Sequence, residues 1–459
     1  MKKIIALVLA LLMLGTCLVS CNNTQPNDNA TASSSLYVGY GRENITPAID
    51  SGYTLAGYAN VRDIVDIASE IFVSCTAFRD GEGDIALVYT LDLHAMNHTQ
   101  ATTLASAVTG ATGVPSANMI FNVTHNHNAP KTEGEYFSDI VTPAVTKAAE
   151  SAIADLKACT ELYAGEINMK SYSFIRRYLK DDNGDPVEHE HDMDYMIPVA
   201  KFVRDGGKDV IMVNFAAHCD TVPLPKTSVS ADYVAVFRKT VESQLDAHFS
   251  MQLGATGDVN PMTEIKGEIS QYSNTDAYGR NLAYKIANDI EKLPKLEIKG
   301  DVEAITGTAR VEVDHTTDAL EEVARTIVTE YNDQRIMTEN LMRENGIADV
   351  YEAIAILTRA KSGVYERRLV SAISIGNIVF AAADYEMFSQ TGRNVKDAGN
   401  ENFDLTFMCA YSNGMIGYIP AEYAFENGGY EVNSCKYVKG TAEVIEAKII
   451  ELMDELAAK

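Results

Sequence analysis

No Cys-x-x-Cys pair occurs in the 459 residues, and the chain has only seven cysteines. Beyond Cys21 there remain Cys75, Cys159, Cys219, Cys409 and Cys435. An odd number without paired spacing argues against a thiolate metal centre or a dense disulfide framework, and leaves room for one or two bridges. Positive charge is also scarce: 38 Lys and Arg face 64 Asp and Glu, for a formal net charge of −26. Phosphate contacts need clustered cations, so nucleic acid is excluded as a partner. After the first twenty residues no apolar run is long enough for a membrane-spanning helix. The glycine-rich stretch Gly254–Pro261 lacks a following Gly-Lys-Ser/Thr and is no phosphate cradle. No internal repeat appears.

The amino terminus carries the clearest compositional signal. Lys2 and Lys3 precede an apolar run from Ile4 to Leu18, too short to cross a bilayer comfortably and followed by small residues. Residues 1–20 read as a lipoprotein signal peptide, and Leu18-Val19-Ser20-Cys21 resembles a bacterial lipobox with Cys21 as the lipidated residue. Residues 21–35, rich in Asn, Thr, Ser, Asp and Pro, bury too little apolar surface to offset their ordering entropy and form a flexible tether. An extracytoplasmic protein, lipid-anchored to a bacterial membrane, is expected.

From Leu36 to Lys459 strand and helix signals alternate without a second linker, which predicts one α/β domain of mixed sheets covered by helices. Strands are predicted at Leu36–Arg42, Ile71–Phe78, Asp84–Tyr89, Met119–Val123, Glu161–Asn168, Ser171–Lys180, Val199–Arg204 and Val210–Phe215, with two more in Arg368–Ala383 around Gly376-Asn377. Helices are predicted at Gln100–Thr109, Thr142–Lys157, Val234–Ala247, Asp276–Lys292 and Glu443–Ala457. Asp318–Tyr331 and Ala348–Ala360 read as an inserted amphipathic hairpin. Asp181–Pro186 reads as a plain acidic turn, its glycine falling too early for a calcium loop.

Chemistry is concentrated at apolar strand ends. Thr124-His125-Asn126-His127 follows Met119–Val123, and strand alternation puts both histidines on one face. The two imidazoles could share one ion, or one could bind it beside the other; spacing alone does not choose. His218 ends the run Ile211–Ala217 and is followed by Cys219-Asp220-Thr221, while Glu386 follows Ala381-Ala382-Ala383-Asp384-Tyr385. Strand ends opening into loops are where rigid scaffolds place reactive groups. His189 and His191, in Glu188-His189-Glu190-His191-Asp192, have no apolar strand to fix them and read as a solvated loop. His94, His98, His248 and His315 receive no role.

Six short motifs then occur in order: Gly39-x-Gly41-Arg42 with Ile45-Thr46-Pro47, Thr124-His125-x-His127, Asn214-Phe215-Ala216-x-His218, Gly257-Asp258-Val259-x-Pro261, Glu386-Met387-Phe388 with Thr391-Gly392-Arg393, and Ser412-Asn413 with Gly417-Tyr418-Ile419-Pro420. This order resembles the catalytic domain of the neutral/alkaline ceramidases from about Leu36 to Val432. The resemblance implies a zinc-dependent hydrolase of an N-acyl amide, ceramide or a related lipid, with Zn2+ held by His125, His218, Glu386 and Tyr418. Two imidazoles and a carboxylate make a common catalytic zinc shell. Tyr411 is the other tyrosine candidate, and the spacing to Ile419-Pro420 favours Tyr418. The resemblance further implies that His127 stabilises the tetrahedral intermediate and that an arginine, Arg176 in preference to Arg177, lies in the site; otherwise the Arg pair is a solvated strand face.

The chain departs from that pattern. Asn260 stands where the family has a serine important for activity, and an amide can orient a carbonyl or donate to an oxyanion but cannot act as a nucleophile. The family's extra C-terminal immunoglobulin-like domain is not expected. Asp220 is either a carboxylate orienting a ligand histidine or a surface aspartate. Two other functions stay open: an amidase or esterase for a non-lipid substrate, and a zinc-containing binding lipoprotein without turnover.

Overall fold

The computed structural model describes residues 35–180, 186–188, 193–263 and 273–459. The signal peptide, Cys21 and almost all of the tether lie outside the described residues, as do positions 181–185 of the acidic turn and the histidines at 189 and 191.

Two sheets carry the fold. The larger contains β1 (Tyr37–Asn44), β2 (Phe72–Arg79), β3 (Ile85–Leu91), β4 (Met119–Val123), β5 (Lys157–Asn168), β6 (Met196–Arg204), β7 (Val210–Phe215) and β8 (His248–Leu253). Their spatial order is β8-β7-β6-β5-β1-β2-β3-β4, and Lys295–Leu296 adds a short ninth strand on β5. The smaller sheet runs in chain order through β9 (Val302–Glu312), β10 (Tyr365–Ile375), β11 (Ile378–Ala383) and β12 (Leu405–Cys409). The fold is mixed α/β.

The apolar periodicity of two explains why the sheets stack. Val88 and Ile120 on the large sheet and Ile373, Phe380 and Phe407 on the small one form a shared inner cluster, while their neighbours Leu87, Tyr89, Phe121 and Ala381 face the helices. Phe78 meets Phe380 across the gap at 6.0 Å between ring centroids. Each such fully buried side chain contributes roughly 1.5–3 kcal/mol. The helices α1 (His98–Thr112), α2 (Thr142–Ala154), α3 (Asp232–Leu245) and α4 (Ser273–Asp289) cover the large sheet, and α8 (Ser389–Gly399) and α9 (Thr441–Ala457) cover the small one. Between these lie α5 (Glu321–Glu330), α6 (Arg335–Asn345) and α7 (Val350–Ala360), which close on a separate apolar cluster of their own. The result is a helix–sheet–sheet–helix sandwich with a small helical insertion.

Gly39 and Gly41 show why the first motif exists. A Cβ on either would stand 2.0 Å from the Ala152 carbonyl oxygen or 2.2 Å from that of Ala148, so only glycine lets α2 lie directly on β1.

Within the two main sheets three strand pairs are parallel: β3 with β4, β7 with β8 and β11 with β12. Each is closed by a helix, α1, α3 or α8 respectively. Ligands in α/β sheets gather beyond the carboxyl ends of such strands. Two buried asparagines lock these ends together. Asn122 Nδ2 donates to the carbonyls of Leu253 and Ala410, and its Oδ1 accepts from Leu253 N. Asn214 Nδ2 donates to the Gln252 and Met408 carbonyls and its Oδ1 accepts from Met408 N.

The structure corrects several expectations. The helix predicted to Lys157 ends at Ala154, because Lys157 already begins β5. The stretch 171–180 is not one strand; it breaks at Arg176 and Arg177, whose side chains turn inward to Glu431. The predicted helical hairpin has a third helix, α6, and β8, β9, β12 and α8 were not anticipated. The five cysteines from Cys75 onward are buried free thiols.

Candidate active site

The carboxyl ends of the six parallel strands converge on one place. His94 follows β3, His125 and His127 follow β4, His218 follows β7, the Gly254–Asn260 loop follows β8, Glu386 follows β11 and Tyr411 follows β12. His125 and Tyr411 leave their strands with φ of 53° and 54°. This left-handed backbone is uncommon for such side chains and collects at sites where structure overrides local preference. The ring of Tyr411 lies 4.6 Å from that of His125.

Hydrogen bonds fix the His-x-His loop. Asn126 Nδ2 donates to the Ser230 carbonyl, Asn128 Nδ2 to that of Ser228, and His127 N to that of Cys219. Arg62 donates to the His127 carbonyl at 2.8 Å. Two short ladders bring the remaining groups in. Glu386–Met387 pairs in parallel with Tyr418–Ile419, placing Glu386 beside Tyr418. Val259–Pro261 pairs with Ser173–Ile175, placing Asn260 opposite Phe174 and next to Arg176. Gly257 is required here, since a Cβ would meet the Glu386 carbonyl oxygen at 2.7 Å.

At the centre, Glu386 Oε2 stands 3.4 Å from His125 Nε2 and 3.6 Å from His218 Nε2, and all three side chains are at most 6% exposed. Each histidine engages its other nitrogen with a backbone carbonyl: His125 Nδ1 with that of His94 at 3.0 Å, His218 Nδ1 with that of Val259 at 3.1 Å. Such bonds place the proton on Nδ1 and leave the Nε2 lone pairs facing the carboxylate, as metal ligation requires. Tyr418 Oη lies 3.5 Å from His218 Nε2 and accepts from Arg176 Nη2 at 2.9 Å. Tyr411 Oη lies 3.4 Å from Glu386 Oε2 and 2.9 Å from Thr256 Oγ1. Both tyrosine candidates therefore border the site.

Electrostatics follow from burial. Burial alone would raise the Glu386 carboxyl, but His125 and His218 outweigh it and hold it at about 2. Burial lowers His125 to about 4, against the pull of Glu386. His127 is driven well below the usual imidazole range by burial and by the neighbouring His125, whose Nε2 lies 3.1 Å from its own. A carboxylate and two imidazole nitrogens together are a donor set suited to a divalent cation. The residues present thus fit the zinc site that the sequence resemblance implies.

Arg176 reaches four partners: Glu431 at 2.9 Å, Tyr418, the Gly257 carbonyl at 2.9 Å and Asn260 Oδ1 at 3.5 Å. It is a half-buried bridge, and the solvated reading of the Arg pair does not hold. Asp220 does not orient His218; it accepts from Tyr58 and Lys226 on the cleft wall. His94, given no role from sequence, lies 4.5 Å from His125 and 4.8 Å from His127 between ring centroids. The strand-end rule applied to the other histidines would have found it, since it stands three residues beyond Leu91.

The site opens into a cleft of about 650 Å³ bordered by His127, Arg176, His218, Asp220, Asn260 and Tyr418. A second opening of about 330 Å³ leads past His94, His127 and Tyr418 along α7.

No protein-family model matches the chain, and no curated protein matches it. Among solved structures, the neutral ceramidase from Pseudomonas aeruginosa superposes with a TM-score of 0.73 at 15% identity, over 93% of this chain and 75% of that one. A ceramidase complexed with C2 superposes with a TM-score of 0.69 at 14% identity, over 93% and 76%. The chain therefore has the fold seen in these ceramidase structures.

Proposed function

We propose that the chain is a zinc-dependent amidohydrolase that cleaves the N-acyl amide of a lipid-like molecule. The observation that carries this reading is the meeting of His125, His218 and Glu386 at the foot of an open cleft. The likeness of fold to ceramidase structures supports it. His125 and His218, through Nε2, Glu386, and Tyr418 would hold the ion. Zinc there would supply Lewis-acid polarisation of the scissile carbonyl and an acidified water.

The other groups act from the protein. His127, held neutral and facing the cleft, donates to the oxygen of the tetrahedral intermediate. Arg176 fixes the Tyr418 hydroxyl and reaches Asn260 Oδ1, which leaves the Asn260 NH2 as the group that would donate to the substrate. Asn260 thus binds and orients; it does not attack. Water adds to the amide carbon, the C–N bond breaks, and a carboxylic acid and an amine leave. Amine release from a panel of N-acyl amides, with and without chelator, tests the reading. Chelator-sensitive release is expected; a zinc-loaded protein that releases no amine from any of them would leave a binding lipoprotein instead. Residues 1–21 carry the export and anchoring half of the proposal, tested by incorporation of labelled fatty acid that Cys21→Ser abolishes.

A further inference from the structure

The two openings beside the site differ in chemistry. Along α7 the opening is lined by Ile354, Ala355 and Thr358, together with Ile416 and with Lys436, which is paired with Glu366. On the other side stands a closed polar network. Asp220 Oδ2 accepts from Tyr58 Oη at 2.5 Å, Asp220 Oδ1 from Lys226 Nζ at 2.5 Å, and Lys226 Nζ also donates to Tyr58 Oη at 2.7 Å. The Tyr58 ring packs edge-on against His127 at 5.4 Å, so the network begins at the reacting groups and runs along the cleft to Asp220. Asn260 faces it from the same cleft.

On this wall Lys226 is paired with Asp220, and Arg176 and Arg177 share Glu431. An alkyl chain would strip water from Asp220 and Lys226 and return nothing, a loss of the kind that excludes apolar groups from such walls. Each Asp220 oxygen still has a lone pair to offer, and Asn260 an amide, which together suit hydroxyl groups that donate and accept.

We infer that the substrate's amine arm bears hydroxyl groups held by Asp220 and Asn260, while its acyl arm lies along α7. This rests on the hydrolase reading above, in which the acyl arm is the apolar one. It makes Asp220 the residue that sets specificity and moves the preferred substrate away from amines with a long alkyl chain.

The test compares kcat/KM for three octanoyl amides: of an amino polyol, of a long-chain sphingoid base and of an amino acid. The polyol amide is expected to lead by roughly tenfold or more, the scale at which a site built for hydroxyls discriminates. Asp220→Ala and, separately, Tyr58→Phe should shrink that lead mainly through KM, with zinc content as in the parent. A lead for the sphingoid or amino-acid amide, or a ratio untouched by both variants, would overturn the inference and leave the hydrolase standing. Release of amine from none of the three by zinc-loaded protein would overturn both.

Discussion

His125 and His218 are oriented in the same way by unrelated parts of the chain: each rests Nδ1 on a backbone carbonyl and turns Nε2 to the same oxygen of Glu386. The ligand tautomer is therefore built into the fold before any ion arrives.

One consequence concerns acid. His125 is held at about 4 and Glu386 at about 2, so both stay in their ligating forms far below the range where exposed histidines protonate. In the metal-free protein the ring signals of His125, followed by NMR, should be flat from about pH 8 to about pH 5 and move only toward about pH 4. A titration of His125 centred near pH 6.5, the ordinary imidazole value, would mean that its ring is not buried beside Glu386 as described.

The close approach of α2 to β1 makes a second prediction. Gly41→Ala places a methyl 2.2 Å from the Ala148 carbonyl oxygen, and backbone must shift to admit it. Destabilisation of about 1–3 kcal/mol is expected, read as a lowered thermal midpoint. An unchanged midpoint would show that helix and strand are not in contact there.

Asn122 joins the ends of β4, β8 and β12 through its side-chain amide. Asn122→Ala removes the side-chain partner of Leu253 N and of the Leu253 carbonyl in the interior, which costs about 1–3 kcal/mol for each group left without a partner. The variant should unfold at clearly lower denaturant and bind zinc more weakly, because the strand end that bears His125 loosens. Retention of full stability and affinity would separate the asparagine from the site.

These features were unequally legible in the chain. Most strands could be read because one face meets apolar helices and the other the apolar inter-sheet core, so their runs are almost wholly hydrophobic. The candidate ligands His125, His218 and Glu386 stood out because each ends such a run. β9 was missed because its alternation is broken by Thr306-Gly307-Thr308, and α6 because Arg335–Asn345 is so polar. The roles of Asn122 and Asn214 could not be read at all, since an asparagine in an apolar strand does not announce which distant carbonyls it meets. Asp220 shows the same limit: its neighbour in sequence is not its partner in space.

Asp384 makes a prediction of opposite sign to the metal site. Its carboxylate is 1% exposed, neither oxygen has a hydrogen-bond partner, and Arg368 approaches only to 3.8 Å. Burial therefore raises it to about 6, against the pull of Arg368. A carboxyl raised on folding binds protons more tightly in the native state, so its ionisation lowers stability as pH rises from about 4 to about 6. Asp384→Asn should raise the thermal midpoint at about pH 8 and change it little at about pH 4. A variant that lowers the midpoint at the higher pH would show that the charge is stabilised in place.

The account turns on one ion held by residues from three different parallel units. Its most direct measurement is the zinc content, by elemental analysis, of the protein and of His218→Ala and Glu386→Gln. The parent should bind a single equivalent, and each variant should lose most of it while remaining folded. Equal zinc in all three proteins, or none in the parent after incubation with the metal, would contradict it.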